Sequence, residues 1–164
     1  MKASGTHSKP SAWAFMKRFE IPNLDHPEIN YLTRWRIVQT PWAALYLHRM
    51  NTPDGRPTMH DHPWSFVSII LRGGYYEHRL TGDRNIVGRR IKHVNVVRRN
   101  DAHYIASLDR TPTWSLLLVG KRRQTWGYWR PIPGTSRGTW SWTPFDRDRH
   151  AEEFDAAVAK RCAQ

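Results

Sequence analysis

The chain has 164 residues, 26 Lys+Arg against 14 Asp+Glu and a formal net charge of +12, a length that suits one domain with one substantial core. Nine Trp, six Tyr and five Phe within a 39% hydrophobic composition supply enough apolar surface for a packed interior, which argues against disorder of the whole chain. No apolar run approaches the roughly 18 residues of a membrane span, the N-terminal MKASGTHSKPSA lacks the apolar stretch of a signal peptide, and Cys162 has no cysteine partner; the expectation is a cytoplasmic protein with no membrane partner and no internal disulfide.

Residues 1–12 are small and polar with one proline and read as a tail. Ala12 to Phe19 fits a short helix, and Ile21 to Asn30, with two prolines, Asn23 and Asp25, fits an irregular connection. Strands are expected from Tyr31 onward. Tyr31 to Gln39 and Trp42 to Met50 are rich in aromatic and β-branched residues and are separated by Thr40-Pro41; Asn51 to Pro57 is a turn. His60 to Leu71, Gly73-Gly74 and Tyr75 to Leu80 predict a β-hairpin, with Arg72 opposite Tyr75 and Ile70 opposite Glu77. Alternation then puts His60, His62, Trp64, Phe66, Ser68 and Ile70 on one face with Tyr75, Glu77 and Arg79.

Beyond a loop at Thr81 to Gly88, Arg89 to Arg99 predicts one or two strands, and Asn100-Asp101 turns the chain into a strand from His103 to Leu108. Thr113 to Val119 and Thr125 to Trp129 make two more around the basic turn Gly120 to Arg123. Roughly eight short, regularly spaced strands indicate a barrel or sandwich. Pro131 to Pro144 is expected to wrap the outside without regular structure. From Asp146 to Arg161 the apolar Ala151, Phe154, Ala157 and Val158 fall at helical spacing, with acids early and Lys160 and Arg161 late, which predicts a C-terminal helix. The expected organisation is a tail over 1–12, a barrel over 13–130, and a wrapping segment with a helix over 131–164.

His60 and His62, two apart on a strand, place two imidazoles on one face at about 6 to 7 Å between Cα atoms. That pattern suits one shared metal ion or a hydrogen-bonded structural pair. These residues resemble the cupin superfamily, whose first motif runs Gly, five residues, His-x-His, three or four residues, Glu, six residues, Gly, and whose second centres on a later histidine. Gly55, His60-Asp61-His62 and Gly73 follow the first, with Gly55 one residue closer to His60 than in the motif; Val96 to His103 is similar to the second, without its usual Pro and Gly. The resemblance covers about residues 31 to 130. The runs HDHPWSFVSIILRGGYYEH and TPTWSLLLVGKRRQTWGYW look like a small, uncharacterised cupin-like group of bacteria and their phages.

The resemblance implies an all-β double-stranded β-helix, or jelly-roll barrel, with short helices at both ends. It also implies a divalent metal ion, Fe, Ni, Cu or Zn, on His60, His62 and His103, and a homodimer. Where the family's ligating Glu would stand, Phe66 or Val67 is apolar. The implied set is therefore three histidines with open positions, similar to that of the thiol dioxygenases of the superfamily. Glu77 does not replace the missing acid, because the hairpin register puts it opposite Ile70, eight residues along from His62, which is roughly 26 Å on a straight strand.

His48, Tyr46, Trp64, Tyr75, Glu77 and Trp126 are candidates to line the cavity, with core packing the alternative for the aromatic ones. His78 has outward parity, His93 precedes the second motif, and His7, His26 and His150 fall in tail, loop and helix, so none of these is an expected ligand. Asp61 points away from its flanking histidines, which suits a turn-stabilising or supporting role. The basic pairs and triplet Arg89-Arg90, Arg98-Arg99 and Lys121-Arg122-Arg123 suit either a solvated rim or an anion-binding surface. Three functions follow as expectations. One is a metal-dependent cupin enzyme, of dioxygenase type, acting on a small anionic ligand, for which no catalytic base can be named. The others are a basic binding module for nucleic acid or a nucleotide, and a metal-free cupin similar to sugar epimerases with a His-Asp dyad.

Overall fold

The computed structural model describes residues 17–23, 28–54, 58–135 and 139–146. Its strands are β1 (Lys17–Pro22), β2 (Asn30–Gln39), β3 (Ala43–Met50), β4 (Met59–His60), β5 (Phe66–Arg72) and β6 (Tyr75–Leu80), then β7 (Ile86–Ile91), β8 (Val94–Val97), β9 (His103–Leu108), β10 (Thr113–Gly120), β11 (Gly127–Pro131) and β12 (Trp140–Pro144). They form two six-stranded sheets, β1-β2-β3-β10-β5-β8 and β12-β11-β4-β9-β6-β7. From β3 to β11 every connection except β6 to β7 passes from one sheet to the other. This winding closes two antiparallel sheets over a common interior, the all-β jelly roll expected from the sequence.

Alternation places the side chains. On β10, Thr113, Ser115, Leu117 and Val119 are buried while Leu118 is exposed. The apolar interior falls into two clusters, Leu32, Met50, Tyr75 and Ile91 in one, Phe66, Val97, Leu117 and Val119 in the other. Each such buried side chain contributes about 1.5 to 3 kcal/mol.

The predicted hairpin across Gly73-Gly74 does not form. β5 pairs with β10 and β8, whereas β6 pairs with β7 and β9 in the opposite sheet. Gly73 and Gly74, at φ +88° and +146°, turn a corner between the sheets. A Cβ at Gly73 would lie 2.5 Å from Thr113 Oγ1, so the close approach itself requires glycine. Local signals could specify the bend but not the partner each strand finds from far along the chain. The parity survives, because both sheets turn their inner faces to the same interior: Phe66, Ser68, Tyr75 and Glu77 are all buried.

Two further expectations are corrected. Lys17 to Phe19, assigned to a helix, belong to β1 and pair with β2, and Ile21 and Pro22 continue that strand; an edge partner outweighs weak local helix preference. Trp140 to Pro144, expected to wrap without regular structure, form β12 and pair with β11 from Gly127↔Pro144 to Pro131↔Trp140. Alternating Trp and Ser or Thr suit a strand, and Pro144 stands at its end, where a missing N–H is tolerated. The N-terminal tail, residues 12–16 of the predicted helix, and the C-terminal helix beyond Asp146 lie outside the described residues. No helix among the described residues is long and apolar enough to cross a membrane.

Candidate metal centre

Three histidines meet on the inner side of the second sheet. β4 is only two residues long, yet it is held on both sides: Tyr128 of β11 lies opposite His60, and His103 of β9 lies opposite His60 on the other edge. His60 and His103 are thus direct cross-strand neighbours. His62 follows just past the end of β4, and its Nε2 lies 2.9 Å from His103 Nε2. The three rings form a nearly equilateral group, with centroids 5.2, 5.2 and 5.1 Å apart.

Asp61, between the two histidines, turns to the other side. Its carboxylate accepts the Gly127 N–H at 2.7 Å and the indole N–H groups of Trp129 at 3.1 Å and Trp142 at 2.9 Å. Its own N–H donates to Gly127 O at 3.1 Å. A Cβ at Gly127 would lie 2.1 Å from Thr143 O, so only glycine allows β11 and β12 to close on Asp61. Pinning Asp61 outward fixes both neighbours inward, and β12 takes part by supplying Trp142.

Behind His103 lies a buried polar network. His103 Nδ1 donates to Glu77 Oε2 at 2.9 Å, and Asn95 Nδ2 donates to the same oxygen at 2.8 Å and to Tyr75 Oη at 3.0 Å. Arg79 Nη2 lies 2.9 Å from Glu77 Oε1, and Arg79 also reaches Asn95 Oδ1, Val96 O and Asp101. Burial alone would raise the Glu77 carboxyl, but His103, Arg79 and Asn95 together hold it below the usual carboxylate range. An ionised Glu77 holds the proton of His103 on Nδ1 and leaves the Nε2 lone pair facing His62. His60 is oriented more weakly, with Nδ1 3.4 Å from Thr58 O. Burial lowers His60 below its ordinary value, against a partial offset from Asp54, and lowers His62 well below it, where His103 and His60 add to the effect. Both are therefore neutral near pH 7, the form that ligates.

A cavity of about 110 Å³ opens in front of the group. Of the side chains predicted to line it, Tyr46, His48, Trp64 and Tyr75 do so together with the three histidines. Glu77 and Trp126 do not. Glu77 is 0% exposed behind His103, because the turn at Gly73-Gly74 folds β6 back across the interior and cancels the straight-strand distance. Trp126 stacks on Phe145 at 4.2 Å and shows His60 only an edge at 6.4 Å. His78 is bonded to Tyr104 Oη at 2.8 Å, and His93 is exposed. The sequence reading missed Arg34, Asp54 and Asn95. Arg34 and Asp54 line the cavity; Asp54 accepts Tyr31 O–H at 2.5 Å and Ile105 N–H at 2.6 Å. Only the polar Asn95 among Val94, Val96 and Val97 carried a signal, a polar residue sharing the parity of Val97.

No family model matches the chain, and no curated protein matches it. Among solved structures, the Streptomyces albus HEPD protein with 2-hydroxyethylphosphonate and Fe(II) bound aligns at 12% identity and a TM-score of 0.51, over 65% of this chain and 24% of that one. A variant of Bacillus subtilis oxalate decarboxylase aligns at 11% identity and a TM-score of 0.50, over 73% of this chain and 31% of that one. The chain thus spans about a quarter to a third of the length of these two proteins. The fold is that of the cupins. At this identity the likeness extends to the fold alone.

The donor set in this cupin-fold barrel could hold a divalent ion. One nitrogen from each of His60, His62 and His103 falls within 4.8 Å of the others. Two nitrogens about 2.1 Å from one ion are about 3.0 Å apart at an octahedral angle and about 3.4 Å apart at a tetrahedral one, and the 2.9 Å between His62 and His103 lies nearer the first. The three could hold a metal ion whose identity the imidazoles alone do not select.

Proposed function

We propose that this cupin barrel is a metal-dependent enzyme acting on a small anionic molecule, with oxidation by dioxygen on Fe(II) as its leading form. The carrying observation is the three-imidazole group, with His103 oriented by Glu77, facing a cavity. That a cupin-fold neighbour was solved with Fe(II) and its substrate makes iron the first metal to test. His60, His62 and His103 would hold the ion, and Glu77 would keep the His103 lone pair aimed at it. A divalent ion on three neutral ligands would supply a 2+ Lewis-acid centre and, as Fe(II), a partner for dioxygen. The apolar walls, Phe66, Leu117 and Val119 among them, would limit the water around it.

Elemental analysis of protein purified without chelator, followed by oxygen uptake with a panel of small thiols and keto acids, tests the reading. The expected result is about one metal ion per chain with metal-dependent uptake, both lost in His62→Ala. Equal metal content in wild type and His62→Ala would remove the centre, and with it the function.

A second reading, a basic surface for nucleic acid or a nucleotide, has one observation in its favour. Gln124 Nε2 donates to Arg99 O at 2.8 Å and to His62 O at 3.1 Å. This ties the turn after β8 to the turn after β10, so the exposed Arg98, Arg99, Lys121, Arg122 and Arg123 gather at one end. Binding of DNA or RNA that falls steeply with salt would support it. The metal-free epimerase-like reading needs a His-Asp dyad in the cavity; Asp54 lines the cavity but bonds Tyr31 and Ile105, and among the described residues no hydrogen bond joins it to a histidine, which weighs against it.

A further inference from the structure

We propose that Arg34 anchors the acidic head of the substrate, which is a short-chain molecule bearing a carboxylate or phosphate group. The inference rests on the proposed function and deepens it. Arg34 stands on β2 opposite His48 of β3, and His48 stands opposite Ser115 of β10. A row of polar side chains therefore crosses the inner face of the first sheet, and all three line the cavity that the His60, His62 and His103 group also lines. Arg34 Nε donates to His48 Nε2 at 2.8 Å, and the guanidinium carbon lies 5.1 Å from the Tyr46 ring centroid. One partner thus fixes the base of the guanidinium and the other covers it.

What remains is open. A guanidinium carries five N–H donors, and the bond to His48 uses one. Among the described residues no carboxylate pairs with Arg34 and no acceptor takes its terminal nitrogens. Arg79, in the same barrel, shows the contrast: Glu77, Asp101, Asn95 and Val96 O all meet its terminal nitrogens. The fold meets the terminal nitrogens of Arg79 and leaves those of Arg34 open. Placing a cation in an interior without a counterion is costly, and a planar fork held at one edge matches two oxygens of a carboxylate or phosphate.

The cavity limits the rest of the ligand. At about 110 Å³ it is well below the roughly 300 to 1,000 Å³ of pockets for drug-sized ligands. A short hydroxy acid or inorganic phosphate suits a cavity of this size. A ligand spanning the cavity from Arg34 would present its other end to the three histidines.

The test titrates glycolate, inorganic phosphate and the uncharged ethylene glycol into wild type, Arg34→Gln and Arg34→Lys by calorimetry. Each protein is measured metal-free and loaded with Co(II), whose visible absorption reports occupancy of the histidine group separately. The expected result is that glycolate or phosphate binds wild type and ethylene glycol does not. Arg34→Gln should weaken the anion about ten- to hundredfold and Arg34→Lys, which keeps the charge but not the fork, less. Co(II) uptake should persist in both variants. Preference for glycolate or for phosphate distinguishes the two head groups. Equal anion affinity in wild type and both variants, equal binding of ethylene glycol, or no binding by any member of the panel overturns the assignment. If Arg34→Gln does not fold, judged by its melting curve, Arg34→Lys decides. Failure of wild type to take Co(II) would instead remove the metal centre, while the metal-free titrations still decide the role of Arg34.

Discussion

The inner and outer surfaces of the barrel wall invert the usual expectation of what is buried. On β8, Asn95 is 1% exposed while its neighbours Val94 and Val96 are each 54% exposed. The same holds more widely: Glu77, His48, His103 and Ser115 are buried, whereas Ile69, Leu71 and Leu118 are exposed. Polar groups remain inside because they are bonded to one another. Asn95 serves Glu77, Tyr75 and Arg79, and Glu77 serves His103. A strand is oriented by the sum of its neighbours' requirements, and an interlocked polar network can outweigh the burial of two valines.

The comparison breaks first at the histidines. His62→Ala should lower Co(II) affinity by more than about 100-fold, beyond the effect of losing an outer partner, as read by absorption titration. Asp61→Ala should cost about 3 kcal/mol in urea denaturation, because three N–H donors lose their acceptor at about 1 kcal/mol or more each; an unchanged midpoint would show that Asp61 does not hold β11 and β12. Glu77→Gln should weaken metal binding about 10- to 100-fold while the far-ultraviolet circular dichroism stays that of the wild type.

Acid sharpens the same contrast. His48, His60 and His62 are lowered below 6.5 in the folded protein, chiefly by burial. As pH falls through 6.5 the unfolded chain takes up protons that the native protein does not, so stability present above that pH is lost on acidification. Glu77, held below 4.5, acts in the same direction: its contribution is complete above 4.5 and lost as pH falls further. Denaturation midpoints of metal-free protein measured between pH 8 and 4 should decline, and a flat profile would contradict the buried neutral imidazoles. The smallest effect belongs to the outer face. Val96→Asn should change stability by no more than about 0.5 kcal/mol. Asn95→Val, one residue away, should cost several times as much by leaving Glu77 and Tyr75 without their donor, and similar values for the two would erase the distinction between the surfaces.

The His-x-His spacing was legible because a strand alternates with period two, and the resemblance to the cupin motifs pointed to His103 as the third member. The outward turn of Asp61 followed from the same parity. Glu77 stays outside the imidazole group, as expected, but its place behind His103 was not legible, because its distance was measured along a hairpin that does not exist. Arg34 sits in a strand of mixed polarity, NYLTRWRIVQ, where Arg34 and Arg36 look alike. Nothing local marks the one that lines the cavity.

Strand content, face parity and the pair of histidines on one face are properties of neighbouring residues, and the amino-acid order alone determined them. Which strands meet, and so whether Glu77 stands behind His103, whether Trp142 reaches Asp61, and whether Arg34 faces the imidazoles, was decided only when two sheets closed on each other. Those contacts join residues 26 to 81 positions apart. Alternation tells which side of a strand a residue occupies, but only the packing of distant strands decides what stands opposite it.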